Sequence, residues 1–297
     1  MPAPLQRVIS QLSGVLLGKE AEIRLALTGL LAGGHLLLED LPGMGKTTLA
    51  EALARCLGLQ FHRLHFTSDL LPADLTGVSV LDPACGQFRF QPGPLFCQVL
   101  LADELNRASP RTQSALLEAM ASGVVSVDGT SHQLPQPFVV IASQNGLDQT
   151  GTSPLPESQL DRFLMRLSLG YPSREAEAAM LAGQQAPLRS LEQLLSPTDL
   201  INLQGQVRAV SVSPALINYA LDLLSTSREL GPGLSPRAGL ALMAAAKAWA
   251  FLHGSDHVLP DHLQAVFPAA AEHRLDGGHR RSNPLSGQIL EQVDALR

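Results

Sequence analysis

The chain has 297 residues, enough for one large or two modest domains with a sizeable core, and 45% of them are hydrophobic, which excludes a disordered protein. A formal net charge of −6 with only three lysines (Lys19, Lys46 and Lys247) leaves no basic footprint for nucleic acid. Cys56, Cys85 and Cys97 lack disulfide or metal spacing and fit a reducing cytoplasm, the N-terminus carries no charged-then-apolar leader pattern, and no apolar stretch is long enough for a membrane span.

The first strong signal in chain order is His35-Leu36-Leu37-Leu38-Glu39-Asp40-Leu41-Pro42-Gly43-Met44-Gly45-Lys46-Thr47-Thr48. An apolar strand runs into a Pro/Gly turn and then opens a helix, the context a phosphate-binding P-loop requires. The glycines let successive N–H groups point at an anion, and the helix N-terminus adds partial positive charge. Lys46 supplies a cation for the terminal phosphates, and the Thr47 hydroxyl can ligate Mg²⁺. Asp40 stands where the usual pattern has its first glycine. An ordinary glycine turn is the competing reading, and what lies downstream disfavours it.

Leu49, Leu53 and Leu57 continue a helix that ends at Gly58, and Phe61 to Phe66 reads as a second strand. Residues 77–90 alternate about a Pro/Gly turn, a hairpin signal. Val99-Leu100-Leu101-Ala102-Asp103-Glu104 is a buried-type strand ending in two acids. Paired with the P-loop, Asp103 fits an Mg²⁺ site and Glu104 a base for the attacking water. Residues 124–134 form a second hairpin signal about Asp128-Gly129. Phe138 to Ser143 is a strand running into Gln144-Asn145, where an amide can meet the γ-phosphate or simply begin a turn. Arg162 is open to two readings, a surface ion pair with Asp161 or an arginine finger for a neighbouring site.

Leu164 to Leu169 reads as the last strand, and the chain divides near Tyr171-Pro172. Alternating strands and helices before that point predict an α/β fold with a parallel sheet flanked by helices, over 1–171. Residues 172–297 read as an all-helical lid, with Ser196-Pro197, Ser213-Pro214 and Ser235-Pro236 marking helix starts. His253, His257 and His262 lie about Gly254 and Pro260, which break any helical ligand spacing, so the only metal expected is the nucleotide's Mg²⁺.

These motifs together resemble the MoxR family of AAA+ ATPases over nearly the whole chain. Leu38 to Thr47, Phe66 to Gly77, Gly93 to Phe96, Leu101 to Arg107, Thr112 to Met120 and Leu155 to Phe163 carry the resemblance. It implies that Asn145 is the sensor 1 residue, Arg162 a trans-acting finger, and Arg237, in Ser235-Pro236-Arg237-Ala238, a sensor 2 reaching the nucleotide from the lid. Leu17 and Gly18 match the segment by the adenine. ATP or ADP is then expected on Pro42, Gly43, Met44, Gly45, Lys46, Thr47 and Thr48, with Mg²⁺ at Thr47 and Asp103.

The resemblance further implies a homo-oligomeric, hexameric ring and chaperone-like activation of a partner complex together with a von Willebrand factor A domain protein. The hairpins are expected on the ring face near the pore. A magnesium-chelatase-like motor subunit is the alternative, and a DNA-acting motor a weaker one that the acidic balance disfavours.

Overall fold

The computed structural model describes residues 2–84, 86–144, 155–277 and 283–295. Helices α1 (Ala3–Val15) and α2 (Glu20–Leu31) precede strand β1 (Leu36–Glu39), which the P-loop connects to α3 (Lys46–Cys56). Next come β2 (Phe61–His65), the short α4 (Pro72–Thr76) and the hairpin strands β3 (Gly77–Asp82) and β4 (Gln87–Pro92). Strand β5 (Val99–Asp103) leads through a 3-10 turn (Leu105–Arg107) to α5 (Pro110–Ser122), a second hairpin β6 (Val124–Val127) and β7 (Thr130–Gln133), and β8 (Val139–Gln144). After α6 (Glu157–Leu160) the last strand is β9 (Met165–Leu167). Helices α7 (Arg174–Leu181), α8 (Pro197–Arg208), α9 (Pro214–Leu230), α10 (Pro236–Leu252), α11 (Pro260–Leu275) and α12 (Leu285–Gln292) complete the described chain.

Five strands form one parallel sheet in the order β2-β5-β8-β1-β9. Period-two alternation divides its side chains between two cores. Leu36, Leu38, Val99, Leu101, Val139 and Ile141 face α1, α2, α3 and the helical lid. Leu37, Leu100, Ala102, Val140 and Ala142 face α5 and the base of the second hairpin. Burial on both faces explains why the inner strands β1, β5 and β8 read as nearly continuous apolar runs, whereas edge strand β2 does not. The predicted strands are all present, with ends one or two residues shorter at β2 and β9 and β8 shifted one residue toward the C-terminus. None of the described helices is long and apolar enough to cross a membrane.

The helical lid is built as its Ser-Pro signals predict. Ser196, Ser213 and Ser235 cap α8, α9 and α10, each accepting the N–H three residues on, and Asp199 returns to the Ser196 N–H. The end of α11 is tied to the sheet by polar groups. Buried Arg274 donates from Nε to Asp161 Oδ1 at 2.7 Å and from Nη2 to the Phe163 carbonyl at 2.8 Å. Arg166 of β9 bridges Asp276, just past α11, and Glu39 Oε2 at 3.2 Å.

Candidate functional site

The parallel order brings the C-terminal ends of β1, β8 and β5 side by side, the place where open α/β sheets bind ligands. The P-loop leaves β1 there, the Asp103-Glu104 pair ends β5, and β8 lies between them. Gly43 and Gly45 have φ of 84° and 92°, a left-handed backbone that favours glycine. A Cβ at Gly43 would project into open space, so the loop mouth is unobstructed. Gly45 caps α3, whose first turn supplies Lys46, Thr47 and Thr48.

Lys46 is 8% exposed and donates its ammonium to the Asp40 carbonyl at 2.6 Å. Burial pulls its pKa below the ordinary lysine value, while Asp40, Asp103, Glu104 and Glu39 act in the opposite direction. The P-loop lysine and the strand-end acids therefore share one electrostatic neighbourhood.

Asp103 accepts from Ser143 Oγ at 2.6 Å on Oδ1 and from Arg63 Nη2 at 2.6 Å on Oδ2. Burial acts to raise its pKa, but these hydrogen bonds and the Arg63 charge prevail and hold it below the ordinary carboxylate range. Each carboxylate oxygen keeps lone pairs for a metal-bound water. Glu104 takes a left-handed backbone (φ 58°, ψ 45°), uncommon for a non-glycine residue, and its N–H donates to Ser143 Oγ at 2.9 Å. Its Oε2 lies 3.0 Å from Arg107 Nη1 and 3.4 Å from His65 Nε2.

A hydroxyl (Thr47), a carboxylate held ionised (Asp103) and an open glycine cradle form a donor set that suits a Mg²⁺-bound triphosphate. Leu17 and Gly18 lie on the α1–α2 turn, and Leu16 approaches the loop: a Cβ at Gly45 would meet Leu16 Cδ2 at 3.1 Å. Pro42 is exposed and Met44 half-buried against the core. Asn145 falls outside the described residues; its neighbour Gln144 is buried at the end of β8.

The two arginines lie elsewhere. Arg162 and Arg237 line one pocket of about 300 Å³ with Gly34, His35, Asp161 and Arg274. Gly34 and His35 precede β1, whereas the P-loop follows it, so a strand of roughly 13 Å separates pocket from P-loop. Arg237, at the N-terminus of α10, lies at the Gly34–His35 end of β1, away from the P-loop of its own subunit. Arg162 does not pair with Asp161. That carboxylate is taken by Arg274 and, at 3.3 Å, by Ser235 Oγ, and Arg162 Nη1 donates instead to the Leu117 carbonyl at 3.2 Å.

Residue types alone do not single out Ser143, Arg63, His65 or Arg107. The register His65↔Asp103 and Arg63↔Leu101 places the β2 side chains beside the acids, so strand adjacency is the signal that finds Arg63, His65 and Ser143, whereas Arg107 meets Glu104 locally, three residues along the chain.

The sheet order, the P-loop and the strand-end acids define a P-loop ATPase with a helical lid. Residues 35–165 match the ATPase family associated with various cellular activities (AAA), and residues 225–293 match the AAA lid domain. YeaC of Bacillus subtilis strain 168 is 45% identical over 91% of this chain and 86% of its own length. Chaperone MoxR1 of Mycobacterium tuberculosis is 38% identical over 91% of this chain and 75% of its own. A crystal structure of a candidate ATPase from Cytophaga hutchinsonii superposes with a TM-score of 0.87 at 33% identity, covering 98% of this chain and 94% of that one. The chain belongs to the MoxR family of AAA+ ATPases.

Proposed function

We propose that this ATPase hydrolyses Mg²⁺-bound ATP in a head-to-tail ring and uses the cycle to activate or assemble a partner protein complex. In this reading residues 1–171 are the nucleotide-binding core and 172–297 the lid. The P-loop N–H groups from Gly43 to Thr48 and Lys46 hold the phosphates, and Leu17 and Gly18 lie by the adenine. Thr47 and Asp103 would hold Mg²⁺, which would supply positive charge to offset that of the phosphates. Glu104 accepts the proton of the attacking water, and Asn145 orients that water. The carrying observation is the burial of Lys46 amid Asp40, Asp103, Glu104 and Glu39.

A ring is supported by the place of Arg162 and Arg237. A pocket with three arginines and the already paired Asp161 carries surplus positive charge, and it sits at the end of the sheet away from its own P-loop. It suits the triphosphate of a second copy, and a repeated head-to-tail contact closes into a ring; the family suggests six subunits. The first hairpin supports a client-contact role. Its tip exposes the cross-strand pair Leu81 and Phe88, 50% and 74% exposed, while Phe90 nearer the base stacks on His132 of the second hairpin at 3.8 Å. A von Willebrand factor A domain protein is the partner class proposed.

Glu104→Gln tests this reading. It keeps size and hydrogen bonding but removes the base, so it should bind ATP, hydrolyse it very slowly and accumulate an ATP-bound assembly of six subunits by light scattering. The trapped assembly is also the bait for capturing the partner. Near-normal turnover by Glu104→Gln excludes Glu104 as the base.

A further inference from the structure

Residues 168–171 carry the chain from the end of β9 toward α7, at the root of the lid. Two buried charged side chains hold this stretch from opposite sides. Asp40, at the P-loop position where glycine is usual, accepts from Ser168 Oγ at 2.7 Å, from the Leu169 N–H, and from the Gly170 N–H at 3.1 Å. Lys19, directly after the Leu17–Gly18 turn, donates its ammonium to the Leu169 carbonyl and to the Tyr171 carbonyl at 2.8 Å. The N–H groups of the stretch thus face a carboxylate from the phosphate loop, and its carbonyls face an ammonium from the base-side turn. Asp40 and Lys19 are each 8% exposed.

The other ends of both residues lie in the nucleotide site. The Asp40 carbonyl accepts from Lys46 Nζ at 2.6 Å, so one residue joins the phosphate-binding lysine to the root of the lid. Next to Lys19, a Cβ on Gly18 would come within 2.9 Å of Ala176 Cβ in α7, which packs the base-side turn directly against the first lid helix. Burying charge is costly unless it is fully satisfied, and a loop of this kind can be closed by backbone hydrogen bonds alone. Charge-assisted bonds to successive backbone groups fix direction as well as distance. That is the property needed where two elements must move as one.

We propose that Asp40 and Lys19 are positioning residues for ATP turnover, forming a two-sided clamp that locks residues 168–171, and with them the root of the lid, to the phosphate loop and the base-side turn. The clamp rests on the P-loop being the nucleotide site, as argued above. Occupancy of either end is then passed to the lid through the same four residues. The departure at Asp40 becomes a functional feature of the loop.

The test is hydrogen exchange by mass spectrometry on full-length wild type, Asp40→Asn, Lys19→Met and Ser168→Ala, each with saturating AMP-PNP, alongside steady-state ATPase kinetics. Asp40→Asn places an NH₂ group against N–H donors, and Ser168→Ala removes one donor from an exposed residue with little risk to folding. In wild type, nucleotide should protect both residues 40–50 and residues 168–181. In the variants, protection of 40–50 should persist while that of 168–181 falls by at least about two-fold, and kcat should drop about ten-fold for Asp40→Asn with KM changed less than about three-fold. Ser168→Ala should show a smaller loss in the same direction and decides the matter if Asp40→Asn does not fold. Variants with a lower Tm but wild-type kcat and wild-type protection of 168–181 overturn the clamp, since that is the behaviour of a merely structural contact. Absence of any protection at 40–50 in wild type overturns the nucleotide site itself, and the clamp with it.

Discussion

The hydroxyl of Ser143 donates to Asp103 Oδ1 at 2.6 Å across the β5–β8 boundary, and the same oxygen accepts the backbone N–H of Glu104 at 2.9 Å. One buried side chain on the middle strand therefore orients the proposed metal-site carboxylate and pins the left-handed backbone of the proposed base. A hydroxyl can do both because it has one proton to give and lone pairs to receive.

Ser143→Ala should break both contacts at once. It leaves a buried carboxylate oxygen and the Glu104 N–H without this partner, a cost of about 1–3 kcal/mol. The release of Glu104 should lower kcat much more than it raises KM for ATP, because the base acts only in the transition state. Urea unfolding and steady-state kinetics read the two effects separately. An unfolding free energy within about 0.5 kcal/mol of wild type, with kcat unchanged, would show that the hydroxyl holds neither acid.

Much of this arrangement is legible in the sequence. Lys46, Thr47, Asp103 and Glu104 announce themselves because their chemistry needs fixed residue types at strand and helix ends. The two hairpins and the Ser-Pro helix starts are legible because turn and cap residues act locally. Contacts set by tertiary adjacency are not. Asp161 and Arg274 are 113 residues apart, so nothing local tells that Arg274, rather than neighbouring Arg162, takes the Asp161 carboxylate. Ser143, Arg63 and His65 become site residues only once the order β2-β5-β8 is known. The sequence shows that Asp40 departs from the glycine pattern, but what its carboxylate does there is legible only once its oxygens are matched to the donors of residues 168–170.

His35 gives the fold a defined acid sensitivity. Its Nδ1 accepts the Val140 N–H at 2.9 Å, so the ring's proton sits on Nε2, 3.1 Å from the Met120 carbonyl. Burial pushes its pKa down from 6.5 to about 4, against the raising effect of the Met120 bond. Between those values the unfolded chain binds a proton that the folded one does not, so stability rises with pH there. The contribution is complete above about pH 6.5 and is lost as the pH falls toward 4, at most about 3 kcal/mol. Buried His273, also held neutral by desolvation and by Arg274 and Arg166, acts in the same direction. Urea unfolding of wild type at pH 7.5 and pH 5 should show the loss, and His35→Asn should show a smaller difference between the two pH values. An equal pH dependence in His35→Asn would remove His35 as a source.

The arginine pocket makes the most exposed prediction. If Arg162 and Arg237 serve a neighbour's nucleotide, Arg162→Ala and Arg237→Ala should each bind ATP with near wild-type affinity and hydrolyse it poorly. Removing a finger costs roughly 10³-fold or more in turnover in related phosphoryl-transfer enzymes. Lys46→Ala fails for the opposite reason, since it keeps both arginines and loses the phosphate-binding cation. Mixing Arg162→Ala with Lys46→Ala subunits should restore part of the activity. One interface in the mixed ring would then join an intact P-loop to an intact Arg162, a pairing that neither variant forms alone. Mixing Arg237→Ala with Lys46→Ala should do the same if Arg237 acts in trans. If instead Arg237 served its own subunit, as a lid residue folded over the P-loop would, this second mixture would stay inactive: every subunit with an intact Lys46 would lack Arg237. Rescue in the first mixture and none in the second would return Arg237 to its own subunit. Rescue in both, in oligomers proven to be mixed by mass spectrometry, is the outcome the pocket demands. Near wild-type turnover by Arg162→Ala alone would remove the finger altogether, leaving only the bond to the Leu117 carbonyl, a partly exposed contact whose loss costs about 0.5–1.5 kcal/mol.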